Sequence, residues 1–104
     1  MITDKNNPNF EFTDEYFQYK LDTQTFDSED FWEFIDAFGV ETEYGEPRRW
    51  SRLATTYCEF NNKYYACEWD QGLTEMQEND WYGDQPYEVV PKEKTVVIKT
   101  WEKV

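Results

Sequence analysis

"DSEDFWEFIDAFG", residues 27–39, is the stretch on which the fold turns. Set out at about 100° per residue, Phe31, Trp32, Phe34, Ile35 and Phe38 fall in one arc. Glu29, Asp30, Glu33 and Asp36 fall in the other, with no overlap. Asp27 or Ser28 can accept from the free N–H groups of a first turn, and Glu29 and Asp30 suit the positive end of a helix dipole. Gly39 is placed as a C-terminal stop. The stretch therefore predicts one amphipathic helix, with an aromatic face to bury and an acidic face for water.

Upstream, "FEFTDEYFQYKL" (10–21) mixes apolar and polar residues nearly alternately, which predicts an extended segment. Its phase slips where Tyr16 and Phe17 adjoin. Residues 1–8 read as a flexible arm. Downstream, "RRWSRLATTYCEF" (48–60) predicts a strand, "NNK" a tight turn and "YYACEW" (64–69) the returning strand. A loop at Asn61-Asn62 would set Cys58 opposite Tyr65, and a loop at Asn62-Lys63 would set Cys58 opposite Cys67. Either register puts both cysteines on one face, where free, half-buried thiols are expected in a reducing cytoplasm.

"DQG" then ends the hairpin, and "LTEMQEND" (73–80) reads as a loop or a short helical turn. "PYEVV" and "KTVVIKTWEKV" read as two more strands joined by "PKEK". Val97 shares a face with Trp101, as Val96 does with Ile98. The sum is an α+β domain over residues 1–104, one helix packed on an antiparallel sheet of about four strands.

Composition bounds the function. Five Trp, eight Tyr and eight Phe in 104 residues must supply most of the core, which argues against disorder. Net charge is −13, from 23 acids against 10 bases and no histidine. Phosphate contacts need Lys and Arg, so direct nucleic-acid binding is disfavoured, and anionic membranes with it. No apolar run approaches the roughly 20 residues of a bilayer span. With no signal-peptide pattern at the N-terminus, the cytoplasm is the expected location.

Catalytic signatures are wanting. There is no histidine, phosphate-binding glycine loop, zinc-like cysteine spacing or nucleophile elbow. The run from Asp70 to Asp80 lacks the ligand spacing and the sixth-position glycine of a calcium loop. Glu68, Asp70 and Glu88 beside Trp and Tyr have the residue types of a glycosidase pair. A domain this small seldom spares its aromatics for a cleft. A noncatalytic protein with neither cofactor nor metal is expected.

The acids suggest what it binds. Residues 68–88 hold seven carboxylates, two Trp, two Tyr and no base. Side chains at i and i+4 on a helix lie about 5–6 Å apart, and duplex DNA carries a charge about every 1.7 Å of its axis. A stripe of Glu29, Asp30, Glu33 and Asp36 beside a loop of Glu75, Glu78, Asp80 and Asp84 would thus present a phosphate-like array. Trp81 and Tyr82 would give it an aromatic anchor. The partner expected is a basic nucleic-acid-binding protein, met by a monomer or small homo-oligomer.

In size, acidity and aromatic content the chain resembles the small inhibitors of phages and other mobile elements that imitate DNA, the anti-CRISPR and anti-restriction proteins. The resemblance implies an inhibitor that occupies the nucleic-acid site of a Cas nuclease or restriction enzyme. It transfers no individual residue. An immunity protein that neutralises a basic toxin nuclease has the same electrostatics, and a generic acidic interaction module is the plainest alternative. Arg48, Arg49 and Arg52 depart from a uniform mimic and are expected to pair with the helix carboxylates or to meet an acidic rim on the partner.

Overall fold

Thr13 begins a helix that the alternating pattern had disguised. A computed structural model describes residues 1–74, 78–93 and 99–104, and for 92, 93, 99 and 100 only the backbone. In it, the segment expected to be extended turns helical after Thr13: α1 spans Asp14–Thr23. The Thr13 side-chain oxygen accepts from the Tyr16 N–H at 3.1 Å, Asp14 and Glu15 occupy the first turn, and Lys20 the last. Tyr16, Phe17 and Leu21 are buried, a helical spacing. The adjacent aromatics that broke the alternation are the inward edge of this helix.

The second helix, α2, spans Ser28–Phe38 as expected. Asp27 is its cap, and accepts from the Asp30 N–H at 2.9 Å while Asp30 accepts from the Asp27 N–H at 3.1 Å. This reciprocal box satisfies two donors that burial would otherwise strand. α2 then runs into β1 (Gly39–Tyr44) without a loop. Gly39 is needed there for room, not for a left-handed turn: φ is −63°. A Cβ would stand 2.6 Å from the Ile35 carbonyl oxygen and 3.2 Å from the Thr56 methyl.

Behind the helices lies an antiparallel sheet of five strands in sequence order. After β1 come β2 (Ser51–Phe60), β3 (Lys63–Gly72), β4 (Tyr87–Glu93) and β5 (Lys99–Lys103). The strand beyond the expected four is β1, exposed along most of its length and so without an apolar alternation to announce it. β4 also continues through Pro91, paired with Trp101, into the stretch expected as a connector. Val96, Val97 and Ile98 lie outside the described residues.

Phe60 pairs with Lys63, so the hairpin turn is Asn61-Asn62, with φ of 51° and 62°. Both residues are left-handed, as a type I′ turn requires. Cys58 then faces Tyr65, and its sulfur lies 3.9 Å from that of Cys67. Both thiols are free and fully buried, deeper than the half-burial expected.

The main core fills the space between the helices and one face of the sheet. Phe34, fully buried, has the rings of Phe17, Phe26, Phe38 and Phe60 at centroid distances of 5.3–5.6 Å. On this face the Trp69 indole donates to Thr56 at 2.9 Å, and Thr56 meets Thr42 at 3.0 Å, which satisfies the buried hydroxyl.

A smaller cluster occupies the other face: Tyr57, Ala66 and Val89 packed by Tyr64, Tyr87 and Trp101. Trp101 of β5 stacks on Tyr57 of β2 at 4.3 Å, although β3 and β4 lie between them in strand order. The pairing of β4 with β3 covers only 87–89 against 64–66. The β4–β5 ribbon therefore folds back over this face.

Candidate partner-binding surface

The loop that follows β3 is held against the start of α2. Asp70 and Asp80 exchange backbone hydrogen bonds of 2.8 and 2.9 Å, which ties the loop to β3. The Trp81 ring stacks on Phe31 of α2 with centroids 4.8 Å apart, and its indole N–H donates to the Asp84 carbonyl at 2.8 Å. Gln85 accepts from the Phe26 N–H at 2.8 Å and donates to the Phe26 carbonyl at 3.1 Å. Gly83 reverses the chain at φ 95°.

The Trp81–Phe31 stack sets the loop beside α2, and each carries acids singled out from the sequence. Glu29, Glu33 and Asp36 are exposed on α2, and Glu78, Asp80 and Asp84 are exposed on the adjoining loop. Glu75 lies outside the described residues. Trp81 is half-buried, its ring committed to Phe31, whereas Tyr82 is 71 % exposed and is the aromatic that the loop offers outward. Its hydroxyl bonds Asp70, which raises its pKa.

Asp30 corrects the expectation. It belongs to the interior, not to the solvent arc: its exposure is 0 %. Its second role in the capping box draws the side chain back under the helix start. There it accepts from the Tyr16 hydroxyl at 2.6 Å, with the Lys5 ammonium at 2.8 Å and that of Lys20 at 3.8 Å. Desolvation, and after it the bond to Asp30, pushes the Tyr16 phenol well above its ordinary value. For Lys5, burial works against the charge, but the bonds to Asp27 and Asp30 outweigh it and raise the pKa. Asp27 is likewise opposed by burial, yet the Asp30 N–H and Lys5 hold its carboxyl below the usual range.

A stretch without bases in sequence is not without them in space. Arg48 reaches Asp70 at 2.7 Å and Lys63 reaches Glu88 at 3.5 Å. Of the two roles expected for the arginines, pairing with the helix is not found: none of the three pairs with an α2 carboxylate among the described residues. Arg49 lies over the Trp50 ring at 4.8 Å, and Arg52 lies over Tyr44 at 4.1 Å while it donates to Gln71. They are spent on the sheet's flank, and among the described residues Glu33 and Asp36 have no basic partner.

Sequence reasoning missed a second acidic and aromatic surface on the far side of the sheet. Glu41 and Glu43 of β1 project there, and they accept from the Trp101 indole at 3.1 Å and the Tyr57 hydroxyl at 3.0 Å. The available signal was the two-residue spacing of those glutamates in "GVETEY", a strand period.

Among the described residues no helix is long and apolar enough to cross a membrane. Comparison with known proteins finds no matching family model, curated relative or solved structure.

Proposed function

We propose that the protein is a noncatalytic inhibitor that binds a basic nucleic-acid-processing protein, a Cas nuclease or restriction enzyme, and occupies its nucleic-acid site by imitating DNA. The observation that carries this reading is the joint surface of α2 and the 78–84 loop. Glu29, Glu33 and Asp36 are exposed on the helix, and Glu78, Asp80, Tyr82 and Asp84 are exposed on the loop that Trp81 stacks against it. The net charge of −13 supports it, because it exceeds the magnitude of roughly 2–8 that keeps a small domain soluble. A cationic groove in the host cytoplasm would meet this potential by steered encounter, and the exposed Tyr82 would supply a contact of the kind that dominates interface energies.

The decisive experiment is a pull-down from host cells with the wild type and with Glu29→Gln/Glu33→Gln/Asp36→Asn. The wild type should recover a nuclease stripped of its nucleic acid. The triple variant should fold normally and recover far less. Equal recovery by both would take α2 out of the interface, and indifference of the wild-type complex to sodium chloride would end the electrostatic reading.

A further inference from the structure

On the face of the sheet away from the helices, four strands contribute to one cleft of about 330 Å³, lined by Val40, Glu41, Glu59, Tyr64 and Trp101. The register explains the convergence. Glu41 pairs with Tyr57 across β1–β2, and Glu59 pairs with Tyr64 across β2–β3, so all four side chains share the outer face. Trp101 comes from the folded-back β5. One of its faces lies on Tyr57, the Tyr64 ring is tilted 57° to it with centroids 5.2 Å apart, and it remains partly exposed. The lining has two carboxylates, two aromatic rings and no base. Among the described residues Glu59 has no ion pair, and the one bond to the Glu41 carboxylate is that from the Trp101 indole.

Such a lining has a definite preference. The face of an aromatic ring attracts a cation within about 6 Å of its centroid, most strongly when the cation is partly desolvated. A carboxylate beside the ring adds a charge-assisted hydrogen bond. The protein makes this kind of contact with itself on the same side of the sheet, where the Lys103 ammonium sits 5.2 Å from the Tyr87 centroid. Between the two cations a protein partner can offer, the planar guanidinium fits better. It stacks flat on an indole while its fork reaches two separate carboxylates, which a compact ammonium cannot do together.

We infer that this cleft is a binding slot for an arginine side chain from a basic segment of a partner protein, stacked on Trp101 and Tyr64 and bonded to Glu41 and Glu59. The inference stands apart from the α2 surface, which lies on the opposite side of the sheet.

The test is a titration of the ¹⁵N-labelled protein with the blocked peptide Gly-Arg-Gly, alongside Gly-Lys-Gly and Gly-Gln-Gly, followed through the Trp101 indole N–H. That resonance is assigned by its loss in Trp101→Phe. The arginine peptide should shift it saturably, and Glu59→Gln should weaken the binding about tenfold, the scale of one hydrogen bond to a charged group. Glu33→Gln, on the helix side, should leave it unchanged. A stationary indole signal, equal binding by the lysine peptide, or equal weakening by Glu33→Gln would overturn the slot. None of these outcomes bears on the pull-down through α2.

Discussion

Asp30 and Glu33 are three residues apart on one helix and have opposite fates. Asp30 is enclosed, with Tyr16, Lys5 and the Asp27 N–H as partners, and Glu33 points to water. Tyr16→Phe should therefore cost about 1–3 kcal/mol in urea unfolding, the penalty for leaving a buried acceptor short of a donor. Glu33→Gln should shift the same curve by less than about 0.5 kcal/mol. The pH dependence follows from the same cluster. Asp27 is held below its ordinary 3.8, so its contribution is present above that value and is lost as pH falls through the lower folded value. Its exposure keeps the effect small. Lys5 and Tyr16 are both raised from 10.5 and 10.0, so what they contribute is complete below pH 10 and fades as pH climbs toward the raised values. Thermal melts between pH 2 and 12 should show both limbs, and Tyr16→Phe should blunt the alkaline one.

At the scale of elements, α2 is the piece on which both faces depend. Phe31 is fully buried between Trp32 at 5.1 Å and Trp81 at 4.8 Å. Phe31→Ala should cost about 3–5 kcal/mol, and it should also release the loop, visible as faster hydrogen exchange at Asp80 and Asp84. The helix was legible because its apolar residues keep one period from cap to end, and β2 and β3 were legible because a two-asparagine turn separates two aromatic runs. α1 was not, since Phe10 and Phe12 lead into Tyr16 with an alternating spacing and only the burial of Phe17 and Leu21 fixes the helical one. β1 was hidden for a different reason: one side of it meets β2 and the rest meets water, so no core demanded apolar residues there. The α2–loop juxtaposition could be expected in kind. The burial of Asp30 could not, because it depends on Lys5, which is distant in sequence, and on a Tyr16 assigned to another element.

For the whole molecule, flatness governs what it can do. Principal extents of 46 × 38 × 18 Å give it two broad sides, and the helices cover only one. The charge is divided between these sides, with the α2–loop acids on one and Glu41, Glu43, Glu59 and Glu68 on the other. A partner bound to one side leaves the other open. Association with a cationic nuclease should accordingly slow by about tenfold or more between 50 mM and 500 mM sodium chloride, read by stopped-flow mixing, while dissociation changes much less. Core melting should respond weakly over the same range, because the interior is held by rings and not by surface charge.

β1 lies at the border of the sheet, and among the described residues one flank of its backbone has no neighbouring strand. An open border of this kind invites a sister chain to dock as the next strand, and the like charges of Glu41 and Glu43 on both copies would oppose it. Glutamine at both positions should remove that guard and let the protein oligomerise at neutral pH, which sedimentation velocity would register as a new fast-moving boundary. An unchanged boundary would show that the glutamates do no such guarding.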